Sequence, residues 1–106
     1  MIDSATNERF FESQTSGLNP QLKNILIDLR SFVTSLGTNV IEEIRPHRIV
    51  YAKSINFRTF LDIRPEGDHI ELKLTAGRGA SNSYHIADDR DIPLIKEEIQ
   101  RTYSQL

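Results

Sequence analysis

Between Phe57 and Leu74 the chain reads FRTFLDIRPEGDHIELKL, with apolar residues at alternate positions on either side of a central break. On the first arm Phe57, Leu61 and Ile63 alternate with Arg58, Asp62 and Arg64; on the second Ile70, Leu72 and Leu74 alternate with His69, Glu71 and Lys73. Successive strand side chains point to opposite faces, so the pattern demands two strands, each with one dry and one wet face. Such strands belong to an antiparallel sheet covered on one side only. Slipping the pairing by one residue would turn every apolar side chain to water, which makes the register a strong constraint. A turn centred on Glu66 and Gly67 sets Ile63 opposite Ile70 and Leu61 opposite Leu72. On the outer face it sets Asp62 opposite Glu71, Arg64 opposite His69 and Phe60 opposite Lys73.

The flanking segments supply the rest of a fold. In NPQLKNILIDLRSFVTSLG, Asn19 can cap a helix, Pro20 suits its first position and Gly37 can close it. Leu22, Ile25, Leu26, Leu29, Phe32, Val33 and Leu36 recur at three-and-four spacing, the stripe of an amphipathic core helix, with Ile27 off it. NVIEEIRP predicts a short strand ended by Pro46, and HRIVYAKS predicts another. After a Gly/Ser/Asn-rich connection with a brief strand at Ser83 to Ile86, Asp91 caps a last helix bearing Ile92, Ile95, Ile99, Tyr103 and Leu106 on one face. The expected fold is α+β: a two-layer sandwich of helix, three to four antiparallel strands and helix, both helices on one face of the sheet. Residues 1–17 are expected as a flexible lead and 18–106 as a single domain. Within the lead, a short helix at Glu8 to Ser13 would dock Phe10 and Phe11; the alternative is a disordered terminus with two stray aromatics.

A chain of 106 residues is large enough for one modest core, and 38% hydrophobic with 26% charged residues is ordinary globular composition. No apolar run approaches the roughly 20 residues of a spanning helix, and the start MIDSATNERFF lacks the basic and apolar regions of a secretory signal. A cytoplasmic location without membrane contact is therefore expected. The absence of cysteine excludes disulfides, thiolate metal sites and cysteine nucleophiles. A net charge of −2 argues against a surface dominated by phosphate binding.

Chemistry-bearing residues concentrate near the wet face. Arg45, Arg48, Arg58, Arg64 and Lys73 lie there with Phe60 and Tyr51, interspersed with Glu42, Glu43, Asp62 and Glu71. Mixed guanidinium and aromatic surfaces take carboxylates or bases. The leading expectation is a non-enzymatic binding or accessory module whose open face, centred on Arg58, Phe60, Arg64 and Lys73, contacts a protein or nucleic-acid partner. No cofactor is expected, and the chain is read as a monomer or weak homodimer; a purely structural domain dimerising through an exposed strand is a further alternative. His85 with Asp88, Asp89 and Asp91 offers nitrogen and oxygen ligands to a metal, but Asp91 as a cap and solvated acids account for the same residues, so no metal is assigned. Gly77-Arg78-Gly79 offers backbone N–H groups to an anion, or simply turns the chain.

Two resemblances bear on function. Asp62 followed by Glu71-Leu72-Lys73 resembles the acid and Glu-x-Lys of the PD-(D/E)xK nucleases, which implies a divalent ion held by Asp62 and Glu71 with Lys73 steadying the attacking water. The proline of that motif is missing before Asp62, and a glycine loop stands where a helix is expected. The run from Leu22 to Tyr103, through LKNILIDLRSFVTSLG, IVYAKSINFRTFLDIRP, IELKL and IKEEIQRTY, resembles a small domain of unknown function often labelled "predicted transport protein". That domain occurs alone or appended to larger, restriction-type proteins, and the likeness implies a fold and an accessory role, with no catalytic signature.

Overall fold

A computed structural model of the chain describes residues 4–76 and 79–106. Three helices, α1 (Ser4–Thr15), α2 (Pro20–Thr34) and α3 (Ile92–Ser104), accompany β1 (Ile41–Arg45), β2 (Arg48–Ala52), β3 (Thr59–Pro65), β4 (Ile70–Thr75) and β5 (Ser81–Ile86). The strands form one five-stranded antiparallel sheet in the order β1-β2-β3-β4-β5. The fold is α+β, with more strand than the three to four expected. In the last strand, Ser81-Asn82-Ser83, almost free of apolar residues, pairs through its backbone with β4. None of the described helices is long and apolar enough to cross a membrane.

Helix α2 starts where its sequence directs. Asn19 is extended, and its Oδ1 accepts the Leu22 N–H at 2.8 Å, satisfying one of the donors a helix start leaves open. Leu22, Ile25, Leu26, Leu29 and Val33 are buried while Ile27 is exposed, as the stripe predicts. One core cluster joins these residues to Ile49 and Tyr51 of β2, Phe60, Leu61 and Ile63 of β3, Ile70, Leu72 and Leu74 of β4, and Ile92, Ile95 and Ile99 of α3. Each fully buried aliphatic side chain stabilises the fold by about 1.5–3 kcal/mol.

Both helix ends depart from expectation. Helix α2 stops at Ser35 in ordinary right-handed geometry, and Gly37 has no positive φ. Instead, a β-carbon at Gly37 would land on the Tyr103 hydroxyl of α3, so this glycine admits a close approach between chain segments. Gly37→Ala is expected to cost about 1–3 kcal/mol by overpacking. Tyr103→Phe, which removes the obstructing oxygen, is expected to restore most of that loss; urea midpoints of the two single variants and the double variant check it. At α3, Asp91 makes no side-chain capping bond. Its backbone continues the turn in which Asp89 accepts the Ile92 N–H at 3.3 Å, outside the extended geometry a capping aspartate uses.

The segment expected as a lead carries α1, longer than the short helix foreseen. Phe11 is buried in the core cluster and Thr15 is wholly buried, its hydroxyl donating to the Phe11 carbonyl at 3.0 Å. Phe10 does not dock: it stays 43% exposed beside a groove formed with Ile44, Arg45 and Pro46.

The β3–β4 hairpin keeps the expected parity but not the expected register. Leu61 faces Leu74, Asp62 faces Lys73, Ile63 faces Leu72, Arg64 faces Glu71 and Pro65 faces Ile70, and the Glu66 N–H donates to the His69 carbonyl at 2.9 Å across a longer loop. A slip of two residues leaves the same side chains in the core, so hydrophobic alternation does not choose between the two pairings. Cross-strand charge does. The expected register sets two carboxylates face to face, a repulsion of a few tenths to about 1 kcal/mol, whereas the observed one sets Asp62 opposite Lys73 and Arg64 opposite Glu71 and avoids it.

Phe60 is the second correction. Tyr51 pairs with Leu61 while Ala52 pairs with Thr59, which leaves Phe60 as the extra residue of a β-bulge. The bulge breaks the alternation and turns Phe60 into the core, 1% exposed, with its ring edge-on to Tyr103 at 5.8 Å. Phe57, expected inward, precedes the strand and is 46% exposed.

Candidate functional site

The face of the sheet bearing Asp62 is read directly from the register. One row across it runs Glu43, Val50, Asp62, Lys73 and Ser83, and beside it lie Arg45 with Arg48 and Arg64 with Glu71 and His85. Val50 is buried yet belongs to no core cluster. The charges interlock. Arg48 Nη1 lies 3.1 Å from Asp62 Oδ2, Arg64 Nε lies 3.6 Å from Asp62 Oδ1, and Arg45 Nε lies 2.9 Å from Glu43 Oε1. Each member of the Arg45–Glu43 pair shifts the other toward its charged form, lowering the carboxyl pKa and raising that of the guanidinium, chiefly through their hydrogen bond. Asp62 Oδ1 is buried and has no hydrogen bond.

A shallow groove on this face is lined by Asp62, Arg64, Glu66, Glu71, Lys73 and Ser83. It brings together Arg64 and Lys73 of the expected binding surface and all three residues of the nuclease-like triad. It does not include the other two expected binding residues. Phe60 lies in the core, and Arg58 lies on the connection before β3, in a different groove with Phe57, Thr75 and Leu106. Glu42 and Tyr51, assigned to the wet face by composition, also turn inward. Tyr51 Oη donates to Glu42 Oε2 at 2.8 Å, and Arg30 of α2 grips the same carboxylate through Nε at 2.8 Å and Nη2 at 2.9 Å. Arg30 Nη1 reaches Glu8 of α1 at 2.7 Å, and the guanidinium lies over the Phe11 ring at 4.4 Å. The Glu42 bond holds Arg30 more firmly protonated than usual, while burial and then Glu42 push the Tyr51 phenol upward. This cluster, which Asn7 of α1 joins by donating to Glu42 Oε1 at 3.4 Å, ties α1 and α2 to the sheet.

At the β4–β5 end of the open face two imidazoles converge on one carboxylate. His69 Nε2 lies 3.0 Å and His85 Nδ1 lies 3.1 Å from Glu71 Oε1, with the rings stacked at 4.3 Å and 16°. His69 Nδ1 meets Asp68 Oδ1 at 2.7 Å, and that bond raises the imidazole pKa while lowering that of the carboxyl. Among the described residues, His69, Glu71 and His85 are the one group of three whose ligand atoms lie within 4.8 Å of one another. The set suggested by sequence is not assembled: His85 turns to Glu71, and Asp88 binds the Arg90 guanidinium at 2.7 Å. Of the Gly77-Arg78-Gly79 anion loop, Gly77 and Arg78 lie outside the described residues. His69 was missed in sequence because only the turn length and the β5 pairing bring it to His85. No protein-family model, curated protein or solved structure matches the chain.

Proposed function

We propose that the chain is a small, non-enzymatic, cytoplasmic binding or accessory module in which both long helices share one sheet face and the opposite face, around Arg64 and Lys73, meets a protein partner. The observation that carries this reading is the groove of Asp62, Arg64, Glu66, Glu71 and Lys73, a charge-mixed surface on a face whose own residues stand apart from the helix-bearing core cluster. Three carboxylates in that groove repel a phosphate backbone and match the mixed charges of a protein surface. The likeness to "predicted transport protein" domains appended to larger proteins accords with an accessory role. Arg64→Gln with Lys73→Gln, both at exposed positions, removes the two positive charges without setting carboxylate against carboxylate and is expected to keep the fold at a cost of under about 2 kcal/mol. The same pair is expected to weaken a partner captured by in-cell crosslinking about tenfold, or about 1.4 kcal/mol. Equal recovery of the same proteins by both chains would overturn the reading, and tight binding of a short oligonucleotide would replace it with a nucleic-acid module.

The nuclease alternative has one observation in its favour, the presence of Asp62, Glu71 and Lys73 in a single groove. Against it, the two carboxylates are diagonal across the ladder and engaged by different groups, Asp62 by arginines and Glu71 by imidazoles. Magnesium-dependent cleavage of labelled DNA that disappears in Asp62→Asn would establish it.

A further inference from the structure

We propose that His69, Glu71 and His85 form a binding site for one divalent transition ion of the zinc class, with coordination completed by solvent or by a group from a partner. This goes beyond the partner-binding reading and does not depend on it. The site follows from strand geometry. Residues two apart on a strand share a face, which brings His69 and Glu71 together where the loop enters β4, and the ladder places His85 directly opposite Glu71. Two imidazole nitrogens with one carboxylate oxygen suit zinc and its neighbours rather than magnesium or calcium. The spacing suits them too. Bonds of about 2.0–2.2 Å place ligand atoms about 3.4 Å apart around a tetrahedral ion and about 3.0 Å apart around an octahedral one, and the oxygen-to-nitrogen separations here are 3.0 and 3.1 Å.

The neighbour of His69 also suits a metal ligand. His69 Nδ1 faces the Asp68 carboxylate, the arrangement that fixes a metal-binding imidazole in its tautomer and leaves Nε2 as the ligand. A single divalent ion would join both nitrogens and the carboxylate once the stacked rings turn so that their in-plane lone pairs converge. Arg64, opposite Glu71 in the ladder, directs its Nε to Asp62 instead, so among the described residues no guanidinium nitrogen pairs with Glu71.

The test uses the untagged full chain, stripped with chelator and titrated with zinc chloride at pH 7.5 while the imidazole nitrogens are followed by NMR. One equivalent is expected to move His69 Nε2 and His85 Nδ1 to coordinated positions. His47, in the β1–β2 turn, serves as an internal control and should not move. Calorimetry should show the one-site phase lost in His85→Asn and in Glu71→Gln, and weakened about tenfold in Asp68→Asn. His85 is exposed on an edge strand, so its variant is expected to fold, with an unchanged circular dichroism spectrum and without the zinc-induced rise in melting temperature that the parent shows. Zinc binding of parental strength in His85→Asn, equal shifts at His47, or no ring shifts at millimolar zinc would each overturn the proposal.

Discussion

Phe60→Ala is expected to destabilise the fold by about 3–5 kcal/mol, the range for deleting a fully buried aromatic side chain. A phenylalanine on a solvated sheet face, where strict alternation would put it, would lose only a few tenths, so the experiment separates two placements of one residue. The cost has two sources. The cavity would open against Tyr103, whose ring sits edge-on at 5.8 Å, and the bulge would lose the side chain that its extra residue delivers to the core. Phe60→Leu, which keeps much of the volume, is expected to recover more than half of the loss. Phe57→Ala, at a half-exposed site just ahead of the strand, is expected to change stability by less than about 0.5 kcal/mol. Denaturant midpoints with unchanged slopes would report these as true stability differences.

Arg30→Met is expected to cost about 3 kcal/mol, because it leaves the Glu42 carboxylate, 8% exposed, without the guanidinium that neutralises it. Arg30 itself is 17% exposed, which places the expected loss at the lower end of the range for breaking a buried pair. The control is Glu8→Gln, which removes the solvent-exposed end of the same network and is expected to cost under about 1 kcal/mol. Replacing the whole cluster, with Arg30→Met, Glu42→Leu and Tyr51→Phe combined, is expected to recover most of that loss, since both charges and the phenol leave together, while the Asn7 amide loses its Glu42 partner. Should Arg30→Met alone prove neutral, the network would have no part in fastening α1 and α2 to the sheet. Exchange protection of the α1 amides should fall with the arginine variant if the clasp works as described.

The elements recovered from sequence are those whose signal is local. Leu22 to Val33 carry their helix in their own spacing, with Asn19 and Pro20 beside them, and the parity of β3 and β4 is written in Leu61, Ile63, Ile70, Leu72 and Leu74. The failures are non-local. Asp62 opposite Lys73 and Asp62 opposite Glu71 serve the core equally well, because strand alternation repeats every two residues and cannot tell registers two apart. Phe60 turns inward because Thr59 and Leu61 pair with neighbouring β2 residues and leave it over, a fact about β2. Glu42 sits in a strand with weak alternation, and only Arg30 and Tyr51, brought from α2 and β2, explain why a carboxylate turns inward there.

The candidate site divides along the same line. That Arg64, Lys73, Asp62 and Glu71 share a wet face follows from periodicity, and the groove gathers all four. Which charges meet, and that one histidine from the β3–β4 loop and one from β5 close on Glu71, does not. Sequence by itself determined the type and polarity of the elements, because burial of a helical stripe or of one strand face is decided by neighbours three, four or two residues away. Tertiary structure alone decided partners, since a cross-strand pair, a bulge or a cluster of three side chains is a coincidence between distant segments, and an energy such as the few tenths to about 1 kcal/mol of a cross-strand pair acts only once those segments meet.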